Sequence, residues 1–175
     1  MDFWIQTSSP NCTGIFDEDD QNLSNAIETI FPMMTEKAIM VWKTIYIPLC
    51  YKYDISCMID DILEILEKLR SSPSGEISVN WASNTFANVW HIRWLEEQVE
   101  ITSEWGSVLG HTEQLLDSKG AISLSKQSFI SEWKRVLFNI ISGLQESGYN
   151  ESNLPDMTRL KVEYNAIQGE GILYK

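Results

Sequence analysis

Residues 76–105, "EISVNWASNTFANVWHIRWLEEQVEITSEW", switch between apolar and polar side chains with a period of two. No other stretch restricts the fold as much. Ile77, Val79 and Trp81 alternate with Glu76, Ser78 and Asn80. Trp90, Ile92 and Trp94 alternate with Val89, His91 and Arg93, and Val99, Ile101 and Trp105 with Gln98, Glu100, Thr102 and Glu104. Successive side chains of a strand point to opposite faces, so each run has one dry and one wet side. Glu96-Glu97 has hairpin length and "ASNTFAN" joins the first two runs, which predicts a three-stranded antiparallel meander.

Four of the seven tryptophans lie in this stretch. A stacking platform for single-stranded nucleic acid needs exposed rings beside a basic groove. Here Arg93 is the only Lys or Arg, against Glu76, Glu96, Glu97, Glu100 and Glu104. The row therefore reads as an inner wall packed by helices, with Trp81 and Trp105, at strand ends, expected to reach the rim. The opposite face is flat, polar and negative.

The charge balance of the whole chain agrees. Lys and Arg number 13 and Asp and Glu 25, a net of −12 with a pI near 4.5. Such a field repels phosphate backbones and anionic lipid and favours a basic protein partner. The chain has 175 residues, 43% of them hydrophobic, which fits one domain over 1–175 with its own core. Cys12, Cys50 and Cys57 include no C-x-x-C pair and suit a reducing compartment. "MDFWIQTSSP" has neither a basic nor an apolar leader segment, so a cytoplasmic location is expected.

"DFWIQT" reads as an opening strand. Asp20 or Asn22 would cap a helix bearing Leu23, Ala26, Ile27 and Ile30, ended by Pro32. "KAIMVWKTIYIP" is apolar on both faces and reads as one central strand. "DISCMIDDILEILEKLRSS" is an amphipathic helix with Asp54 as N-cap; Ile55, Met58, Ile59, Ile62, Leu66 and Leu69 face inward, and Asp60, Asp61, Glu64 and Glu67 face water. Cys50 and Cys57 beside its start read as small core residues. "AISLSK" follows as a strand. Ser128 would cap a second long helix with Phe129, Trp133, Val136, Leu137, Ile140, Ile141 and Leu144 inward and Gly148 as its stop. "NLPDMTRLKVEYNAIQG" carries both a helical stripe and a strand alternation; Pro155 and Gly169 favour helix, and "GILYK" could add an edge strand. The sum is an α+β fold, a mostly antiparallel sheet with a central three-stranded meander backed by two long amphipathic helices.

No pattern for chemistry emerges. His91 and His111 stand apart from the cysteines, G-x-S-x-G and phosphate-binding glycine motifs are missing, and no catalytic, metal or cofactor site is expected. Asp17, Glu18, Asp19 and Asp20 form an acidic turn without the alternating ligands and central glycine of a calcium loop.

The helix "SFISEWKRVLFNIISGL" after the strand-rich "VNWASNTFANVWHIRWLEEQVEITSEWGSVLG" resembles small bacterial immunity proteins of polymorphic and contact-dependent growth-inhibition toxin systems. The likeness spans about residues 36–148 and is carried by Phe129, Glu132 and Trp133 together with size, acidity and α+β make-up. It implies a cytosolic inhibitor that neutralises a cognate toxin, with no bound cofactor and no contact with nucleic acid or membrane. Charge and exposure, and not the likeness, select the partner-binding candidates: Asp17, Glu18, Asp19, Asp20, Trp81, His91, Glu96, Glu97, Glu100, Glu104 and Trp105. The alternative is an interaction module of another kind, such as a phage-encoded inhibitor or an assembly subunit.

Overall fold

The computed structural model describes residues 2–167. Two antiparallel sheets share one apolar core. The first is ordered β1 (Phe3–Gln6), β2 (Lys37–Trp42), β3 (Ile45–Cys50); the second β4 (Ser74–Ser83), β5 (Phe86–Leu95), β6 (Gln98–Val108), β7 (Ile122–Ser125). The helices are α1 (Leu23–Ile30), α2 (Ser56–Ser71), α3 (Glu113–Lys119), α4 (Lys126–Glu146) and α5 (Met157–Ala166). The α+β class and the meander are as the alternation requires, with Ile77 opposite Ile92 and Ile92 opposite Ile101.

Every apolar stripe of α1, α2 and α4 named above is buried. Trp90 is fully buried and sits at the centre, its ring 4.9 Å from Trp81, 5.6 Å from Trp42 and 6.1 Å from Phe3. Trp94 lies over the backbone opposite it, where a Cβ on Gly75 would come within 2.4 Å of the indole; only a glycine fits beneath that ring. The tail forms a helix, α5, which α2 holds through Arg159–Glu67 at 2.7 Å and through Arg70 paired with the buried Glu163. The Arg159 guanidinium beside Glu67 holds that carboxyl below its usual range. Gly169 and "GILYK" lie outside the described residues.

Several expectations are corrected. The run at 37–48 is a hairpin and not one central strand, because Lys43 turns the chain with φ +55° and pairs Met40 with Ile47. Asp54 does not cap α2. A π-helical turn, Tyr51–Ile55, precedes that helix and swings Asp54 inward, where it is 1% exposed. Ser125, not Ser128, caps α4: its side chain accepts the Ser128 N–H at 3.0 Å. Cys57 is exposed, whereas Cys50 is buried. Asp61 and Glu67 are engaged by Trp81 and Arg159 and do not simply face water. The short helix α3 was not expected; it buries only Leu116 and so carries almost no apolar stripe.

The residues behind the immunity-protein likeness turn out to be packing devices. Phe129 and Trp133 are core, and the Glu132 carboxylate accepts the Ile5 N–H at 2.8 Å, fastening β1 to α4.

Candidate functional site: the open face of the four-stranded sheet

The inner face of β4–β5–β6 carries Val79, Trp81, Trp90, Ile92, Trp94, Val99 and Ile101, all buried in the core shared with the helices and the three-stranded sheet. Its outer face has no element over it among the described residues. Glu76, Ser78 and Asn80 of β4, Arg93 and Leu95 of β5, and Glu100, Thr102 and Glu104 of β6 are exposed, as are Glu96 and Glu97 in the hairpin turn. Leu95, 69% exposed, is the large apolar side chain standing out of this acidic surface.

Strand register assembles a chain of contacts across the middle. Ser78 lies opposite His91 and His91 opposite Thr102. The Ser78 Oγ is 2.8 Å from His91 Nδ1, and His91 Nε2 is 3.0 Å from Glu104 Oε1. In the Nε2–H tautomer the Ser78 hydroxyl donates to Nδ1 and the Nε2–H donates to the carboxylate, so both ring nitrogens are engaged and the ring's orientation is fixed. Arg93 Nε approaches Glu76 Oε2 at 3.6 Å, with both side chains more than three-quarters exposed. Water competes for each of these contacts, so the arrangement orients side chains on the surface and contributes little to stability. Serine, histidine and carboxylate also make up hydrolytic triads, but those work where water is excluded and the imidazole is buried against its acid. Here the Glu104 side chain is 75% exposed.

The eleven partner-binding candidates are not one surface. His91, Glu96, Glu97, Glu100 and Glu104 share the open face and its hairpin. Trp81 does not reach the rim: it is 1% exposed, and its indole N–H donates to Asp61 of α2 at 2.8 Å. Trp105 is half-buried, edge-on to Trp42 at 5.0 Å. Asp17, Glu18, Asp19 and Asp20 belong to a loop tied to Tyr149, beyond the C-terminal end of α4 on the helical side. Tyr149 Oη accepts the Asp17 N–H at 3.0 Å and donates to Asp20. Burial, and then the Asp20 carboxylate, push that phenol's pKa up. The Asp19 N–H donates to Asp17 Oδ1 at 2.9 Å, so part of this acidic run satisfies its own turn.

Ser78 was not among the sequence candidates, although period two places it on the wet face; its bond to His91 needs the register. A second polar cluster also escaped sequence reasoning. The buried Asp54 accepts the Cys50 N–H at 2.7 Å, the Thr85 hydroxyl at 2.6 Å and the Ser83 hydroxyl. A shallow groove lined by Met34, Tyr53, Ala82, Ser83, Asn84 and Thr85 runs beside it. Three donors occupy the carboxylate, which makes it a fastening between the β4–β5 turn and the start of α2.

Among the described residues no group of three or more His, Cys, Asp and Glu side chains is placed to hold a metal ion, and no helix is long and apolar enough to cross a membrane. Comparison with protein-family models, with curated proteins and with solved structures finds no match.

Proposed function

We propose that this chain is an inhibitory binding protein of the bacterial immunity type. In this reading it is cytoplasmic, works without a cofactor or catalytic step of its own, and neutralises a cognate toxin by covering its active site or substrate surface. The observation that carries the reading is the face of the four-stranded sheet left open among the described residues, where Glu76, Glu96, Glu97, Glu100 and Glu104 stand exposed with Arg93 as the only exposed cation among that face's described residues. A partner fitting this surface is basic, as a nuclease domain is; the same field would repel nucleic acid itself. Long-range attraction speeds encounter, while affinity comes from a few central anchors, for which Leu95 and the fixed His91 ring are placed.

The test is co-expression with a toxin domain encoded beside this chain, read as survival. Protection is expected. Reversing Glu96, Glu97, Glu100 and Glu104 to Lys should lower the association rate about tenfold at low salt and flatten its salt dependence. Death of cells carrying the unaltered protein, or association indifferent to the four reversals, would refute the reading.

A further inference from the structure

Among the described residues the two sheets have four edges, and three of them are blocked. β1 is four residues long, and its outward Ile5 N–H is taken by Glu132 at 2.8 Å. β3 carries Pro48, which offers no amide. β7 has four residues and runs straight into α4. Short strands, proline and occupied amides are the devices by which folded proteins keep sheet edges from pairing with other chains.

β4 has none of them. It is ten residues long, "SGEISVNWAS", without proline and with Glu76 as its only charge. From Gly75 to Ala82 its backbone hydrogen-bonds to β5 and, among the described residues, to nothing on its other side. Ile77 points inward yet stays half-exposed because no strand lies beyond it, while Val79 and Trp81 are buried.

We propose that the β4 edge pairs antiparallel with β4 of a second copy of this chain, joining two four-stranded sheets into one of eight strands. Directly opposite residues in an antiparallel pair share a face, so a twofold pairing must set a residue against itself and its even-spaced neighbours. Centred on Val79, the pairing sets Ser78 against Asn80 and Glu76 against Ala82. Centred on Ser78, it sets Glu76 against Asn80. Neither register opposes two charges, and both cover Ile77 with an apolar residue of the copy. A cationic segment would find only Glu76 to answer it along the strand, so the edge suits its own sequence better than a basic one. The joined sheet would present two acidic faces side by side and leave the toxin-binding surface free.

Two chains of net charge −12 repel, so this association should strengthen as salt screens the field, opposite to binding of a basic partner. Sedimentation equilibrium of the full chain at low and high salt tests the pairing. A dimer is expected, tighter at high salt. The double variant Ser78→Glu, Asn80→Glu places like charges opposite each other in either register, at positions exposed in the single copy. It should dissociate at least about tenfold more readily with its near-ultraviolet dichroism unchanged. Hydrogen exchange on the unaltered protein gives a readout that needs no variant: amides in 75–82 should slow as concentration rises. A monomer at every concentration and salt, a variant that dimerises as well as the parent, or concentration-dependent slowing only outside β4 would overturn the pairing. None of these outcomes bears on toxin neutralisation, which the co-expression test decides.

Discussion

The two faces of the four-stranded sheet share the same three long strands and the same backbone, yet one is packed almost completely and the other is open to water. Inside, Trp81, Trp90 and Trp94 interlock with Trp42, Phe3 and the stripes of α2 and α4, and even the backbone is shaped to admit them, as at Gly75. Burying such rings stabilises by roughly 25 cal/mol per Å² of apolar surface, and loss of one leaves a cavity the neighbours cannot fill. Outside, the contacts run between solvated side chains, whose net value is about 0–1 kcal/mol each. The outer face can therefore be substituted without endangering the fold, whereas the inner face cannot change by one ring without being felt.

Three measurements of unfolding in urea test the division. Trp90→Ala should cost about 4 kcal/mol, because the ring at the centre of the aromatic cluster is removed from a site enclosed by Phe3, Trp42 and Trp81. A cost below about 1 kcal/mol would mean that the cluster is loosely packed and that the inner face is not the seat of stability. Trp81→Phe keeps an aromatic ring but removes the donor to Asp61, and about 1–2 kcal/mol should be lost. On the other face, Glu76→Ala and Arg93→Ala, singly or together, should shift stability by less than about 0.5 kcal/mol and show no coupling in a double-mutant cycle. A coupling above about 1 kcal/mol there would end the contrast.

Much of this division was legible in the sequence, and the reasons for the failures are physical. The meander could be read because each strand is wet on one side, so alternation reports both its presence and its faces. β2 and β3 read as one strand in the sequence because the turn between them is Lys43-Thr44, with no Gly, Asn or Asp to announce a positive φ. Trp81 reads as a rim residue because strand ends are usually open; α2 lies beneath this one, and only the contact with Asp61 reveals it. The negative character of the candidate site follows from composition alone. The His91 chain and the separation of the acidic loop at 17–20 from the sheet both depend on long-range packing, which one-dimensional periodicity does not encode.

The widened helical turn at Tyr51–Ile55 carries a consequence for how this chain can diverge. It holds one residue more than a regular turn, and that extra residue sets the phase of everything in α2 that follows. Deleting a single position there would restore ordinary winding and rotate Asp54 relative to the helix by about 100°, away from Ser83 and Thr85. Length variation among descendants of this gene should therefore be forbidden at 51–55 and tolerated in the irregular segment 7–21, where no helical phase depends on the count.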